Sequence, residues 1–253
     1  MDYSRIQEKM ASFLRRKLDE TGAEGYVIGV SGGLDSAVTL KVAVEAVGSG
    51  KVHAWIMPGK PSSGKNMEDA RQLCEELGVE TREVDIEPAV DRFRESLDID
   101  LEKNTVGNIR ARVRMIYEYI DANENRRLVL GSGNRTEYLL GYFTKYGDGA
   151  VDVRLLQDLY KTEVKELAQF VDLDDKFIEK KPTAGLWKGQ TDEDELGASY
   201  EKIDRIVKRL QKNQKPEEIA SELGIEKKEV ERFKEMQRNS EHKRSQVPYP
   251  ELR

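Results

Sequence analysis

The chain has 253 residues, a formal net charge of −6 and a pI near 5.3, with 36% charged and 38% hydrophobic residues. This length suits one compact domain with or without an appendage, and the composition excludes a largely disordered chain. The acidic balance gives no general attraction for nucleic acid or an anionic membrane, and no stretch approaches the ~18 apolar residues of a membrane helix. We therefore expect a cytoplasmic protein whose partner is a small molecule.

The first 18 residues have the pattern of an amphipathic helix. Their larger apolar side chains fall on one helical face: Ile6, Met10, Phe13, Leu14 and Leu18. Acidic and basic residues lie between them, unlike the uninterrupted apolar centre of a signal peptide. The pattern predicts a helix that docks on the rest of the protein.

Four short β-type runs alternate with helical patterns along the next part of the chain. They are Tyr26–Val30, Val52–Met57, Thr81–Ile86 and Leu128–Leu130. Such alternation is typical of a parallel sheet covered by helices on both faces. We predict an α/β fold with a doubly wound, mostly parallel five-stranded sheet, flanking helices and a helical C-terminal appendage.

The loop Ser31–Ser36 joins the first strand to its helix and reads Ser-Gly-Gly-Leu-Asp-Ser. Gly32 and Gly33 allow the backbone to turn its N–H groups toward an anion, and the helix N-terminus adds its positive dipole end. Asp35 would repel a phosphate unless it held a bridging divalent cation, although an acid also suits the first turn of any helix. The loop resembles the SGGxDS loop of the ATP pyrophosphatases, which release pyrophosphate while they adenylate a substrate.

Two other glycine-containing segments imitate nucleotide loops. Gly59–Asn66 nearly matches GxxxxGK[ST], but Asn66 stands where a magnesium-binding hydroxyl is needed. Gly131–Thr136 resembles the start of a dinucleotide fingerprint, but Thr136 replaces the small residue that allows close helix packing. The first mismatch argues against a kinase, and the second argues against a hydride-transfer enzyme.

Later segments resemble ammonia-dependent NAD synthetases. They are Gly107–Met115, Gly131–Asp152, Leu159–Thr162, Lys181–Gly197 and Glu241–Arg244, with Gly141–Gly149 the most specific stretch. The resemblance implies a homodimer that adenylates the nicotinate carboxylate of deamido-NAD with Mg-ATP. Ammonia then displaces AMP to give NAD.

The family resemblance also implies a set of site residues. Its ATP-binding positions are Gly29, Val30, Ser31, Gly32, Gly33, Leu34, Asp35, Ser36, Ser132, Lys161 and Thr183. Its Mg²⁺ ligands are Asp35 and Glu137. Its deamido-NAD positions are Arg112, Lys145, Asp152, His242 and Lys243, with Arg112 reaching the substrate from the partner subunit. Its catalytic residues are Asp148, which orients ammonia or accepts a proton, and Lys161, a cation for phosphate oxygens.

The sequence also allows ordinary structural roles for these residues, the blander interpretation of each. On the helix after Gly107, the residues Ile109, Val113, Ile116 and Ile120 form one apolar stripe, and the flanking Arg110, Arg112 and Arg114 suit a solvated basic face. A lysine on a helix usually faces solvent, and an aspartate in a Gly-Asp-Gly turn is ordinary. The chain also departs from the family pattern: Ser132 replaces a common threonine, and Leu155–Gln157 replaces a proline-containing turn before Lys161.

The segment Pro182–Glu193 has glycines on both sides of Trp187. Such hinges around an aromatic residue predict a lid that excludes water from a reactive acyl-adenylate. From residue 192 onward the sequence becomes helical and highly charged. We expect one domain, 1–253, with an α/β core at 1–191 and a helical appendage with a tail at 192–253.

Other functions are also compatible with parts of the sequence. Lys215–Val230 has the rhythm of a DNA-binding helix-turn-helix, but its second half lacks the basic excess that phosphate contacts require. A tRNA thiolase or a GMP synthetase-like enzyme would share the SGGxDS loop. A glutamine-dependent enzyme needs an amidase domain with its own cysteine, whereas Cys74, the only cysteine, lies in a helical pattern typical of packing. Ammonia is therefore expected from solution or from a separate protein.

Overall fold

A parallel sheet forms the centre of the protein, which we describe from a computed structural model covering residues 1–183, 185, 187, 189 and 191–252. Its strands are β1 (Gly25–Gly29), β2 (Val52–Ile56), β3 (Glu80–Glu83), β4 (Arg127–Gly131) and β5 (Val153–Arg154). All pairings are parallel, in the order β3-β2-β1-β4-β5. The predicted five-stranded α/β fold is confirmed.

Helices cover both faces of this sheet. In the described residues they are α1 (Tyr3–Thr21), α2 (Leu34–Val47), α3 (Gly64–Glu76), α4 (Glu87–Glu95), α5 (Lys103–Asn125), α6 (Arg135–Leu140), α7 (Lys161–Phe170), α8 (Asp175–Ile178), α9 (Asp192–Leu196), α10 (Tyr200–Leu210), α11 (Pro216–Leu223) and α12 (Lys227–Asn239). None of these helices is long and apolar enough to cross a membrane.

The strand order fixes where a ligand can bind. From β1 the chain first adds β2 and β3 on one side of the sheet, and β4 and β5 then add on the other side. The order therefore reverses between β1 and β4, and open α/β sheets bind ligands beyond the carboxyl ends of the strands at such a point. The loops after Gly29 and Gly131 both leave the sheet there.

The N-terminal helix α1 docks within its own chain. Its buried side chains Met10, Leu14 and Leu18 join the main hydrophobic core together with α2. Tyr26 on β1 is fully buried and donates its hydroxyl to the carbonyl of Leu14 at 2.8 Å. Burial of these apolar groups is the main force that holds the helix on the sheet layer.

A second hydrophobic cluster lies under the C-terminal helices. Leu196, Tyr200, Ile203 and Phe233 form its centre, and Leu140 of α6 joins them from the α/β part of the chain. The predicted division at residue 191 stays a prediction, but the helices that follow it share this separate cluster. Cys74 on α3 is buried in the main core as a free thiol, in keeping with its expected packing role.

The predicted stripe on α5 is not a single buried face. Val113 is buried, whereas Ile116 and Ile120 keep 45% and 49% of their surface exposed. Arg110, assigned to a solvated basic face in the blander interpretation, is buried and pairs with Glu87 of α4 at 2.6 Å. That interpretation is wrong for Arg110, because the neighbouring helix supplies a carboxylate that the α5 pattern does not reveal.

Candidate active site

The Ser31–Ser36 loop is pressed against the first turn of α3. Gly32 has a φ of +73°, and a side-chain carbon at this position would overlap the carbonyl of Asn66. Both the backbone conformation and the close approach therefore require glycine. The hydroxyls of Ser31 and Ser36 lie 3.1 Å apart, and the Ser36 hydroxyl donates to the carbonyl of Gly33 at 3.1 Å. These hydrogen bonds fix the shape of the loop.

Lys161 lies between two carboxylates at the mouth of this loop. It makes an ion pair with Asp35, and its Nζ is 3.7 Å from the Glu137 carboxylate. The Asn134 amide donates to the other oxygen of Asp35 at 3.2 Å. Burial lowers the pKa of Lys161, but the two acids outweigh burial and raise it. Burial first, and then the charge of Asp35, raise the pKa of Glu137.

The donor set here suits a magnesium ion. Asp35 and Glu137 offer carboxylate oxygens, the ligands that Mg²⁺ prefers, and Mg²⁺ commonly takes one or two carboxylates and completes its shell with water and phosphate oxygens. Among the described residues no group of three or more His, Cys, Asp or Glu side chains is placed to hold a metal by itself.

A buried aspartate from the appendage fixes the start of α7. Asp204 accepts from the Thr136 hydroxyl at 2.5 Å, and from the amide and hydroxyl of Thr162 at 2.9 and 2.8 Å. The Lys161 amide donates to the Thr136 hydroxyl at 3.0 Å. Asp204 thus holds the backbone on either side of Lys161. No local motif marked it, since it follows Lys161 by 43 positions.

Asp192 closes the base of the predicted lid. Its amide donates to the carbonyl of Pro182 at 3.1 Å, which ties the two ends of the segment together. Its carboxylate accepts from the hydroxyls of Tyr142 and Tyr200 at 3.2 and 3.0 Å. Four residues of the predicted lid lie outside the described residues: Ala184, Leu186, Lys188 and Gln190.

The Gly141–Gly149 turn presents Asp148 to the same cleft. The Thr144 amide donates to the Asp148 carboxylate at 2.9 Å, and the Thr144 hydroxyl donates to Asn108 of α5 at 2.8 Å. Asp148 reaches solvent along the cleft, but protein surrounds its carboxyl group, and this burial raises its pKa. A concavity there has walls from both the ATP side and this turn, including Asn134, Glu137 and Asp148.

The predicted deamido-NAD residues form a chain of contacts beside this turn. Arg112 donates to the carbonyl of Lys145 at 3.2 Å, and Lys145 donates to the carbonyl of His242 at 2.7 Å. Lys243 donates to the carbonyls of Gly141 and Phe143 at 2.6 and 2.7 Å. Burial lowers the pKa of Lys243, and the nearby Asp148 partly offsets this effect. The structure therefore brings four of the five residues together.

The remaining predicted residues lie around the edge of the cleft. Asp152 accepts from the Tyr119 hydroxyl at 3.1 Å and from the Val129 amide at 2.8 Å, so it also joins α5 to the sheet. Ser132 follows the carboxyl end of β4. Thr183 is exposed in the predicted lid segment and accepts from the Gly185 amide at 3.1 Å.

The departure at Leu155–Gln157 is accommodated by packing. Leu155 and Leu156 are buried in the main core, and the Leu159 amide donates to the Leu156 carbonyl at 2.9 Å to form the turn. Lys161 leaves this turn and reaches Asp35. In the imitation nucleotide loop Gly59–Asn66, Lys65 faces solvent and the Asn66 carbonyl lies close against Gly32.

The sequence profile of the NAD synthase family matches residues 6–247. The chain belongs to the NAD synthase family. An NH3-dependent NAD synthetase of Thermococcus kodakarensis is 48% identical over 253 residues, covering 100% of this chain and 99% of that protein. The structure of an NMN synthetase from Francisella tularensis shares 35% identity and a TM-score of 0.88, with 100% of both chains covered. An NH3-dependent NAD synthetase from Campylobacter jejuni shares 31% identity and a TM-score of 0.85, covering 99% of this chain and 100% of that chain.

Membership of the NAD synthase family confirms the predicted kind of enzyme. The chain is a ligase for NAD synthesis with ATP as co-substrate. The tRNA thiolase, GMP synthetase-like and DNA-binding alternatives are not supported. The roles of individual residues are a separate matter and depend on the geometry described above.

Proposed function

We propose that the chain amidates deamido-NAD with ammonia and ATP, giving NAD, AMP and pyrophosphate, in the cleft between β1 and β4. The observation that carries this proposal is the shared concavity. Asn134 and Glu137, which adjoin the Asp35–Lys161 pair, line it together with Asp148. A carboxylate activated on the ATP side would thus be exposed to a nucleophile on the Asp148 side.

In the first half-reaction a nicotinate carboxylate oxygen attacks the α-phosphorus of ATP, and pyrophosphate leaves. The N–H groups of the Ser31–Ser36 loop and the buried Lys161 ammonium would stabilise the negative charge of the leaving group. Lys161 suits this role because Asp35 and Glu137 keep it protonated. When bound, Mg²⁺ would supply further positive charge to the phosphates, held by Asp35 and Glu137.

In the second half-reaction ammonia attacks the acyl carbon of the adenylate, and AMP leaves. Asp148 is the group that would orient the nucleophile and take its surplus proton. The Thr144 amide fixes the Asp148 carboxylate, and burial raises its pKa, which makes the carboxylate a stronger base. Lys145, His242 and Lys243 would hold the rest of deamido-NAD beside this turn, and Arg112 would reach it from the partner subunit.

The enzyme is expected to act as a homodimer through the exposed face of α5. Arg112, Ile116 and Ile120 follow one another at four-residue spacing and so share that face. The two isoleucines are nearly half exposed. Covering them with a second copy of the chain would place Arg112 at the interface, where it can reach the partner's substrate.

A charged substitution on this face tests the dimer. Ile116→Glu should convert the dimer to monomer, because burying an unpaired carboxylate in an apolar interface is strongly unfavourable. Phe170→Glu is the comparison, since Phe170 has 46% exposure against 45% for Ile116 but lies on α7. The masses of both variants would be measured by analytical ultracentrifugation. A dimeric Ile116→Glu protein, or a monomeric Phe170→Glu protein, contradicts the proposed face.

We also propose that residues 192–253 act as part of the catalytic unit and that the enzyme is cytoplasmic. Asp192, Tyr200 and Asp204 all come from this segment and contact the lid base or the start of α7. Removing the segment should therefore abolish activity. A cytoplasmic location agrees with the single buried, free thiol of Cys74.

The decisive experiment supplies purified protein with Mg-ATP, deamido-NAD and ammonium, and measures NAD and pyrophosphate. A parallel reaction contains glutamine in place of ammonium. A third contains the carboxylate counterpart of NMN, because one solved relative is an NMN synthetase. NAD formed only with ammonium supports the proposal. If the enzyme prefers the smaller substrate, that substrate and not deamido-NAD is the acceptor. If pyrophosphate forms without an amide product, the proposed second half-reaction is wrong.

A further inference from the structure

Lys180 contacts the ATP loop from behind. Its Nζ donates to the carbonyl of Gly32 at 2.6 Å and to the carboxylate of Asp69 on α3 at 2.7 Å. Only 16% of the Lys180 side chain and 9% of the Asp69 side chain are exposed. Three separate segments therefore meet at one ammonium group: the Ser31–Ser36 loop, α3, and the chain leaving α8.

This contact fixes the orientation of one peptide group. The peptide between Gly32 and Gly33 is planar and trans, so its carbonyl and N–H point in opposite directions. With the carbonyl held by Lys180, the N–H of Gly33 is turned toward the Ser31 hydroxyl, 3.3 Å away, inside the loop. Glycines leave this peptide free to rotate, and a charge-assisted hydrogen bond removes that freedom.

Lys180 also lies at the stem of the lid. It follows α8, whose Phe177 and Ile178 are buried in the main core, and it stands two residues before Pro182. The Pro182 carbonyl accepts from the Asp192 amide and closes the lid base. Lys180, which holds the loop, thus lies between a helix buried in the main core and the predicted lid.

The pairing of Lys180 with Asp69 indicates that Lys180 anchors the loop and does not itself bind phosphate. Asp69 balances the ammonium charge, and both side chains are largely buried. A lysine that has a carboxylate of its own at 2.7 Å adds little net positive charge for ATP, but it holds neutral dipoles such as the Gly32 carbonyl firmly.

We propose that Lys180 is a positioning residue that links the lid stem to the ATP loop and presets the Gly32–Gly33 peptide for the polyphosphate. This inference rests on the proposed function for the identity of the ligand. Loss of the contact should weaken ATP binding while deamido-NAD binding stays unchanged, because Lys145, His242 and Lys243 lie on the other side of the cleft.

The test must separate positioning from the penalty of a buried, unpaired charge. Lys180→Met alone leaves Asp69 without its ammonium partner and is expected to lower stability. The double variant Lys180→Met/Asp69→Asn removes both charges and should regain most of that stability, yet it still lacks the Gly32 contact. We expect its KM for ATP, and its dissociation constant for Mg-ATP by calorimetry, to rise about ten- to hundredfold, as for one charge-assisted hydrogen bond.

Lys176→Met is the comparison variant. Lys176 lies on the same α8 and also joins it to α3, through the Gln72 side chain at 2.8 Å, but it does not touch the loop. It should bind ATP as the native protein does. Native ATP affinity in the double variant, or equal weakening in Lys176→Met, would overturn the proposal. If the native protein makes no NAD but the ATP-binding pattern holds, the proposed function fails and the role of Lys180 stands.

Discussion

The two sides of the cleft are built in different ways. On the ATP side, buried opposite charges face one another: Lys161 lies between Asp35 and Glu137, and Lys180 pairs with Asp69. On the substrate side, lysine side chains hold backbone carbonyls, and several of these residues reach solvent.

The difference indicates which half of the reaction needs the more rigid environment. Transfer at phosphorus is catalysed mainly by preset positive charge, and such charge is most effective where water is excluded. The substrate side must instead admit a large dinucleotide and ammonia, which agrees with its partly solvated side chains. Changes on the ATP side should therefore stop both half-reactions, and changes near Asp148 only the second.

Asp35→Ala should have the largest effect. It removes one partner of Lys161 and one proposed Mg²⁺ ligand, so the first-turnover burst of pyrophosphate and the formation of NAD should both fall by about 10³-fold. Rapid quench kinetics would measure both products. Asp158→Ala is the comparison, since Asp158 precedes Lys161 but is 96% exposed. A normal pyrophosphate burst in Asp35→Ala would contradict the expectation that changes on the ATP side stop both half-reactions.

Asp148→Asn should have a smaller and more selective effect. Asparagine keeps the size of the side chain but cannot accept a proton, so NAD formation should slow by about 10²-fold, at the lower end for a lost general base. The first-turnover burst of pyrophosphate should stay close to the native value. An equal loss in both measurements would place Asp148 in the first half-reaction and remove the distinction between the two sides.

Glu118 on α5 lies near residues of both sides of the cleft, and its ionisation links the stability of the protein to pH. It accepts a hydrogen bond from the Gly29 backbone, and it lies near Arg114 and Asp148. A side chain at Gly29 would overlap its carboxylate, so the group fits closely behind the ATP loop. Burial raises the pKa of Glu118 to about 7.

Glu118→Gln should therefore change how stability depends on pH. Between the usual glutamate pKa and about 7, the unfolded chain releases a proton that the folded protein still holds, so rising pH favours unfolding. Glutamine lacks this ionisation. From pH 5 to pH 8 the variant should gain about 1–3 kcal/mol in free energy of unfolding relative to the native protein. Denaturant unfolding would measure it, with the exposed Glu124→Gln on the same helix as comparison. No pH-dependent difference would exclude a buried, neutral Glu118.

Local sequence patterns predicted the parts of the site that lie within single βα units. The Ser31–Ser36 loop is followed directly by its predicted helix, although α2 already begins at Leu34, within the loop, and ends at Val47. The third strand is shorter than its run, since only Glu80–Glu83 pairs with β2. The ligand roles of Arg112, Lys145 and His242 came from family resemblance, and they stay predictions although the structure brings these residues together.

Sequence by itself determined the parallel α/β fold and the place of the Ser31–Ser36 loop after the first strand, because alternating apolar periods and glycine positions act over a few neighbouring residues. Only the tertiary structure revealed Lys180, Asp192 and Asp204 as supports of the site. Each is a common charged residue in an ordinary helical or loop context, and its role depends on partners between 8 and 148 positions away along the chain. Folding brings such pairs together by burying the core, and no local pattern records which carboxylate or carbonyl a given side chain will meet.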